Sequence, residues 1–256
     1  MTAYEGFRVE RGSPVATITL DVPGKMNRVA YAARAQLAEV FEELGADESV
    51  RVVVLGGAGG NFTAGGDIAG FLAVSPEDLS KLAWHVAAPE RCPKPVVARI
   101  EGYCLGVGLE LALACDFRVA TDSAQLGLPE IGLGMIPGSG GTQRLARLAG
   151  LGRAKDVVMR RKRISAADAL VWGLVSEVVP EAELDRTVAA IATELQALSP
   201  LALAVAKRVL NEAYELRLSD GLQLEGQEYG YLRTTHDFRE GVEAFVEKRA
   251  PRFEGR

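Results

Sequence analysis

The chain has 256 residues, 48% of them apolar and 25% charged, which describes a folded globular protein rather than a disordered or fibrous one. That length spans one to two domains and can bury a real core without help from disulfides or a structural metal. With 29 Lys and Arg against 34 Asp and Glu the net charge is −5, which argues against non-specific nucleic-acid binding and requires any anionic ligand to find local positive charge.

In chain order, Val15 to Leu20 (VATITL) reads as a strand through its β-branched alternation. Leu37, Val40, Phe41 and Leu44 follow i, i+3, i+4, i+7 spacing, so an amphipathic helix is predicted over roughly Ala32 to Leu44. Arg51 to Leu55 (RVVVL) reads as a buried strand running into the loop Gly56-Gly57-Ala58-Gly59-Gly60. Ser75-Pro76-Glu77-Asp78 is a helix start, with Ser as N-cap, Pro at the first helical position and acids in the first turn. Pro95 to Ile100 is a further strand, Gly106 to Cys115 a helix, and Phe117 to Ala120 a short strand. This alternation predicts an α/β fold. Beyond about Pro180 the character changes, with Glu181 to Leu198, Pro200 to Leu216, Gly221 to Arg233 and Asp237 to Arg249 all reading as helices. The expected division is a core over residues 1–197 and a helical module over residues 198–256.

There are only two histidines, His85 and His236, and the three cysteines, Cys92, Cys104 and Cys115, lie 12 and 11 apart, unlike zinc-site spacing. No metal site is expected, and the thiols are expected to be buried and reduced. Met1 to Pro14 carries Glu5, Arg8, Glu10 and Arg11 and no apolar stretch, so it does not read as a signal peptide. No apolar run approaches the roughly 18–20 residues of a membrane helix. The expectation is a cytoplasmic protein without membrane association.

Glycine clusters at Gly65-Gly66, Gly106-Val107-Gly108 and Gly138-Ser139-Gly140-Gly141, as well as at 56–60. None completes GxGxxG, and no GxxxxGK[ST] exists, so a Rossmann or P-loop nucleotide site is not predicted. Taken singly, each cluster is a turn needing positive φ. Two of them, however, lead into helix-like stretches, Ile68 to Leu72 and Leu109 to Cys115. Backbone N–H groups there lack intrahelical partners, and two aimed at one point would form an oxyanion hole. Glu110 and Glu130 stand in apolar surroundings, LELALAC and LGLPEIGL, which tends to raise a carboxyl pKa above about 4.3. With histidine so scarce, they are the best general acid/base candidates. The plainer readings are a first-turn acid for Glu110, a solvated turn residue for Glu130, an N-cap for Asp67, and solvated faces for Arg160 to Arg163 and for Lys207-Arg208.

Together these segments resemble the crotonase (enoyl-CoA hydratase/isomerase) superfamily. Phe62-Thr63-Ala64-Gly65-Gly66-Asp67-Ile68 is similar to its FxAGAD[IL] segment. Pro95 to Ala98 with Gly102 to Ala112 is similar to PVIAAVxGxAxGGGxELA, and Leu126 to Leu145 to FxxPExxLGxxPGxGGTQRL. Ile164 to Ala169, Gly173 to Val175, Glu240-Gly241 and Phe245 match later landmarks. The resemblance implies a crotonase-like spiral of ββα units followed by a helical C-terminal trimerisation module, with a homotrimer or homohexamer as the assembly. It implies an acyl-CoA thioester as ligand, CoA being part of the substrate and no other cofactor being needed. The implied reaction is reversible hydration of a trans-2-enoyl-CoA. In it Gly66 and Val107 would hold the thioester oxygen through their N–H groups, Glu110 would activate water, and Glu130 would exchange the C2 proton. Residues matched to substrate or CoA binding are Lys25, Ala64, Gly66, Asp67, Ile68, Tyr229, Phe245 and Lys248, the last three reaching a neighbouring subunit's CoA. Alternatives on the same fold are an enoyl-CoA isomerase, a hydrolase, a decarboxylase or a non-catalytic acyl-CoA-binding protein. Departures from the pattern are Val107 for the common glycine, whose β-branched side chain would narrow the acyl pocket or resist an unusual φ, Gly66 for the usual alanine, a mild change, and Asn27-Arg28-Val29 and Met159-Arg160-Arg161 for NAL and LTG, which bear on acyl-chain preference.

Overall fold

A computed structural model describes residues 2–256. Ten strands run as β1 (Thr2–Tyr4), β2 (Phe7–Glu10), β3 (Val15–Leu20), β4 (Val52–Gly57), β5 (Val96–Ile100), β6 (Tyr103–Leu105), β7 (Phe117–Thr121), β8 (Gln125–Gly127), β9 (Ile164–Ser165) and β10 (Glu177–Val179). The helices are α1 (Tyr31–Ala46), α2 (Pro76–Ser80), α3 (Leu82–Val86), α4 (Ala88–Arg91), α5 (Val107–Ala114), α6 (Gly141–Ala149), α7 (Leu151–Met159), α8 (Ala166–Val171), α9 (Leu184–Gln196), α10 (Pro200–Asn211), α11 (Leu218–Leu232) and α12 (His236–Glu247).

The larger sheet has the order β1-β2-β3-β4-β5-β7-β10, antiparallel through β3 and parallel beyond it. The smaller sheet is β6-β8-β9. After β5 and after β7 the chain gives its next strand, β6 or β8, to the small sheet and then a helix, so successive turns wind as a spiral around two walls. Parallel strands need such long crossovers.

The run RVVVL is apolar throughout because both faces of β4 are covered. Val53 and Leu55 face the main core with Val96, Ala98 and Ile100 of β5 and the apolar stripe of α1, including Leu37, Phe41 and Leu44. Val52, Val54 and Val97 face the other way, onto Leu184, Val188, Ala192 and Leu195 of α9. That alternation is the period of two of a pleated strand. The predicted start at Ser75 forms as expected, with the Asp78 N–H donating to Ser75 Oγ at 3.1 Å and Pro76 opening the helix. It continues as three short helices rather than one.

α9 is docked on the sheet, whereas α10 buries only Val205 and α11 buries no residue. Lys207 is the chief polar tie of α10 to the core. Lys207 Nζ donates to the carbonyls of Pro89 (2.7 Å) and Lys94 (3.1 Å) and pairs with Asp116 at 2.7 Å. The Lys207 side chain is only 8% exposed, so the sequence reading of Lys207-Arg208 as a solvated face is corrected at Lys207. The three cysteines are buried and free. No single helix among the described residues is long and apolar enough to cross a membrane.

Candidate active site

Glu110 is the fourth residue of α5, whose eight residues are all buried. Its Oε1 accepts the N–H of Ser139 at 2.7 Å and of Gly141 at 2.9 Å. The Gly138-Ser139-Gly140-Gly141 turn is therefore a cradle for the protein's own carboxylate. Close approach needs the glycine, since a Cβ at Gly141 would stand 3.1 Å from Glu110 Cγ. Burial pushes the Glu110 carboxyl above its ordinary range, and the two N–H donors and the Arg34 charge oppose that.

Glu130 opens a single 3-10 turn (Glu130–Leu133) after Pro129 and is buried. Its Oε2 has no hydrogen-bond partner among the described residues. Burial raises the Glu130 carboxyl to about 7; a hydrogen bond from its own backbone N–H and the Arg34 charge oppose the rise, and Glu110's charge adds to it. Neither glutamate is the solvated or merely helix-favouring acid of the plain reading. They differ in one respect: Glu110 is pinned by the N–H groups of a distant turn, whereas Glu130 has one oxygen, Oε2, buried without a partner.

Gly106 joins the two. It precedes α5 with φ 55° and ψ −125°, a conformation open only to glycine, and a Cβ there would lie 2.9 Å from Glu130 Oε1. Because the positive φ falls on Gly106, Val107 takes ordinary helical geometry and packs its side chain into the core. The valine is thereby accommodated without strain at the position after Gly106.

The segment holding Gly66 runs parallel to the one holding Val107, with Thr63 bridged to Cys104. Beyond that bridge the two loops touch where Gly65 meets Gly106, the residues immediately before Gly66 and Val107. Neither the Gly66 nor the Val107 N–H donates to any described residue. Gly66 does not stand at a helix N-terminus, as the sequence predicted. It bridges Val29, and the following turn is a short 3-10 helix that begins only at Ala69. Asp67 is likewise no N-cap; it pairs with Arg28 at 3.4 Å.

Among the binding candidates, Lys25 is exposed in a loop fastened to this wall. The Ala64 N–H donates to Met26 O at 2.9 Å, and Asn27 Nδ2 donates to the carbonyls of Ala58 and Asn61, both at 2.7 Å. Ile68 is partly exposed beside Asp67. Tyr229 and Phe245 instead line a separate apolar pocket of about 460 Å³ with Phe238 and Phe253, and Lys248 is exposed at the end of α12. Within one chain these three do not join Glu110 and Glu130.

Sequence reasoning passed over Arg34. It is only 4% exposed, and its charge reaches both glutamates. The signal was there: Arg34 lies three residues before Leu37 and seven before Phe41, on the buried stripe of α1.

Residues 10–256 match the family model described as enoyl-CoA hydratase/isomerase. The chain belongs to this family. Among its relatives, the 2,3-dehydroadipyl-CoA hydratase of Escherichia coli is 39% identical, over 97% of this chain and 98% of that protein. The short-chain-enoyl-CoA hydratase of Clostridium acetobutylicum is 35% identical, over 94% of each. The enoyl-CoA hydratase of Bacillus anthracis has a solved structure that superposes with a TM-score of 0.92, at 38% identity, over 98% of this chain and 100% of that one. The α/β spiral with its helical C-terminal region is thus the crotonase fold that the motifs implied.

Proposed function

We propose that this enzyme hydrates a trans-2-enoyl-CoA reversibly to a 3-hydroxyacyl-CoA. The observation that carries the reading is the unequal pair of buried glutamates, Glu110 held by two N–H groups and Glu130 with its Oε2 unpartnered, together with two unengaged backbone donors. The relatives' names support the same reaction class.

In this reading the thioester oxygen accepts the N–H groups of Gly66 and Val107, which stabilise the negative charge that collects there as C3 is attacked. Such a donor is worth about 2.7–4 kcal/mol in the transition state. Glu110, ionised and aligned by Ser139 and Gly141, takes a proton from water as its oxygen bonds to C3. Glu130, holding a proton near neutral pH, gives it to C2. Water is consumed, no electrons change hands, and the proton left on Glu110 returns to Glu130 or solvent. The reaction so written calls for no metal or redox cofactor.

We further propose that the chain works as a homo-oligomer. Leu218, Leu222, Tyr229, Phe245 and Val246 on α11 and α12 are exposed, and apolar surface of that extent on helices with little of their own buried calls for a partner. Light scattering should return a trimer or hexamer mass; a monomer at micromolar concentration would refute it.

The test of the reaction is a panel of 2-enoyl- and 3-enoyl-CoA substrates of graded length, followed by loss of the conjugated absorbance and by product mass. Hydration is expected: loss of absorbance with a gain of one water. Conversion of 3-enoyl to 2-enoyl substrates without water uptake would make the enzyme an isomerase, and binding without turnover would make it a non-catalytic acyl-CoA carrier.

A further inference from the structure

The chain buries two arginines near α5, and they are treated oppositely. Arg118 spends its guanidinium on backbone carbonyls, with Nε donating to Leu174 O at 2.6 Å, Nη1 to the carbonyls of Ala112 (3.2 Å) and Cys115, and Nη2 to Asp116 O at 3.4 Å. Arg34 is as thoroughly buried, 4% exposed, and makes no hydrogen bond and no ion pair with any described residue. Its Nε is sealed from solvent without a partner. A buried charge without hydrogen bonds is costly, and one that a fold retains calls for a functional explanation.

What surrounds Arg34 indicates what that is. Its guanidinium lies over the Phe71 ring, 5.0 Å from the centroid, and against the backbone of Gly66. It is coupled by charge to Glu110 and Glu130 yet bonded to neither, although Glu130 Oε2 is itself unpartnered. An orphan donor and an orphan acceptor thus face the same site and do not meet. Gly66 explains how the arginine is housed. A Cβ at that position would stand 2.6 Å from Arg34 Nη2, so an alanine there would displace the guanidinium, and the glycine clears its place. The arginine and the alanine-to-glycine departure are two halves of one feature.

We propose that Arg34 is a specificity-determining residue that binds a carboxylate carried by the acyl group, so that the preferred substrates are CoA monothioesters of dicarboxylic acids. The guanidinium presents a planar fork of donors suited to a carboxylate, and an incoming anion would satisfy the charge that the fold leaves bare. The inference rests on the acyl-CoA site proposed above.

The experiment measures binding of saturated, unreactive thioesters by calorimetry, so it does not depend on turnover. Succinyl-, glutaryl- and adipyl-CoA are compared with butyryl-, pentanoyl- and hexanoyl-CoA on the wild-type protein and on Arg34→Leu, Arg34→Lys and Gly66→Ala. At least one dicarboxylic thioester should bind about 10- to 100-fold more tightly than its monocarboxylic counterpart, the range of a charge-assisted hydrogen bond. Arg34→Leu should abolish that preference, Arg34→Lys should keep part of it, and Gly66→Ala should weaken it. The Tm of Arg34→Leu should rise, since an uncompensated charge leaves an apolar face; a fall in Tm together with equal losses for both thioester classes would mark a structural arginine and overturn the proposal. An intact preference in Arg34→Leu, with a displaced pH–rate profile, would make Arg34 a tuner of the glutamates and overturn it equally. Absence of preference in the wild-type protein that still binds and hydrates crotonyl-CoA would overturn this inference alone, whereas failure to bind any acyl-CoA would remove the site reading as well.

Discussion

Glu110 and Glu130 are alike in type and unlike in surroundings, and the difference yields a testable pH dependence. Hydration consumes no net proton, so the forward reaction, with Glu130 protonated and Glu110 ionised, and the reverse, with the proton on Glu110, use the same singly protonated pair. Both directions should therefore show one bell-shaped profile of kcat/KM, its two apparent pKa values belonging to the pair. An isomerase working through Glu130 alone would lose the acidic requirement and rise with pH to a plateau. Glu110→Gln and Glu130→Gln should each lower kcat by about 10²–10⁴-fold, measured with saturating substrate. Stability should move the other way. The Glu130 pKa is raised in the folded state to about 7, so the folded protein holds the proton more tightly and wild-type stability falls as pH rises from the ordinary carboxylate range through 7. Glu130→Gln has no charge to bury; calorimetric scans should show its Tm matching wild type near pH 4 and exceeding it above pH 7.

At the scale of elements, the site is made where loops end strands and begin helices. β6 ends at Leu105, Gly106 turns the chain through φ 55°, and α5 starts at once, which sets Val107 N–H and Glu110 on one short segment. Gly106→Ala should cost about 1–3 kcal/mol of stability for the strained backbone. It should also push the Glu130 carboxylate aside, lowering kcat/KM by about 10²-fold, a loss typical of misplacement by an ångström. Denaturant melts and steady-state rates check the two halves separately. The 139–141 turn orients Glu110 through the N–H groups of Ser139 and Gly141.

Over the whole molecule, α10 to α12 sit outside the core that the sheets enclose, and the buried Lys207–Asp116 pair is a principal tether. Lys207→Met should destabilise the fold by about 3 kcal/mol, because Asp116 is left buried without its cation. The double variant Lys207→Met with Asp116→Asn should recover part of that loss, a comparison that a double-mutant cycle measures.

The sequence by itself determined the strands Val15–Leu20 and Val96–Ile100, the helices α1, α5 and α9 to α12, and the two acids in apolar company. Each rests on a local pattern of side chains that the tertiary structure had only to accept. The short strands β1, β2, β6, β8, β9 and β10 carried too few residues for a period to register, and they exist because a neighbouring strand satisfies their backbone. The tertiary structure alone decided which carboxylate the 139–141 turn would hold, that the Gly65 and Gly106 loops would meet, and that Lys207 would be buried. It also decided that Arg34, sitting on the apolar stripe of α1, would face the two glutamates unpaired. Those are facts of approach between segments far apart in the chain, and no periodicity along a single segment encodes them.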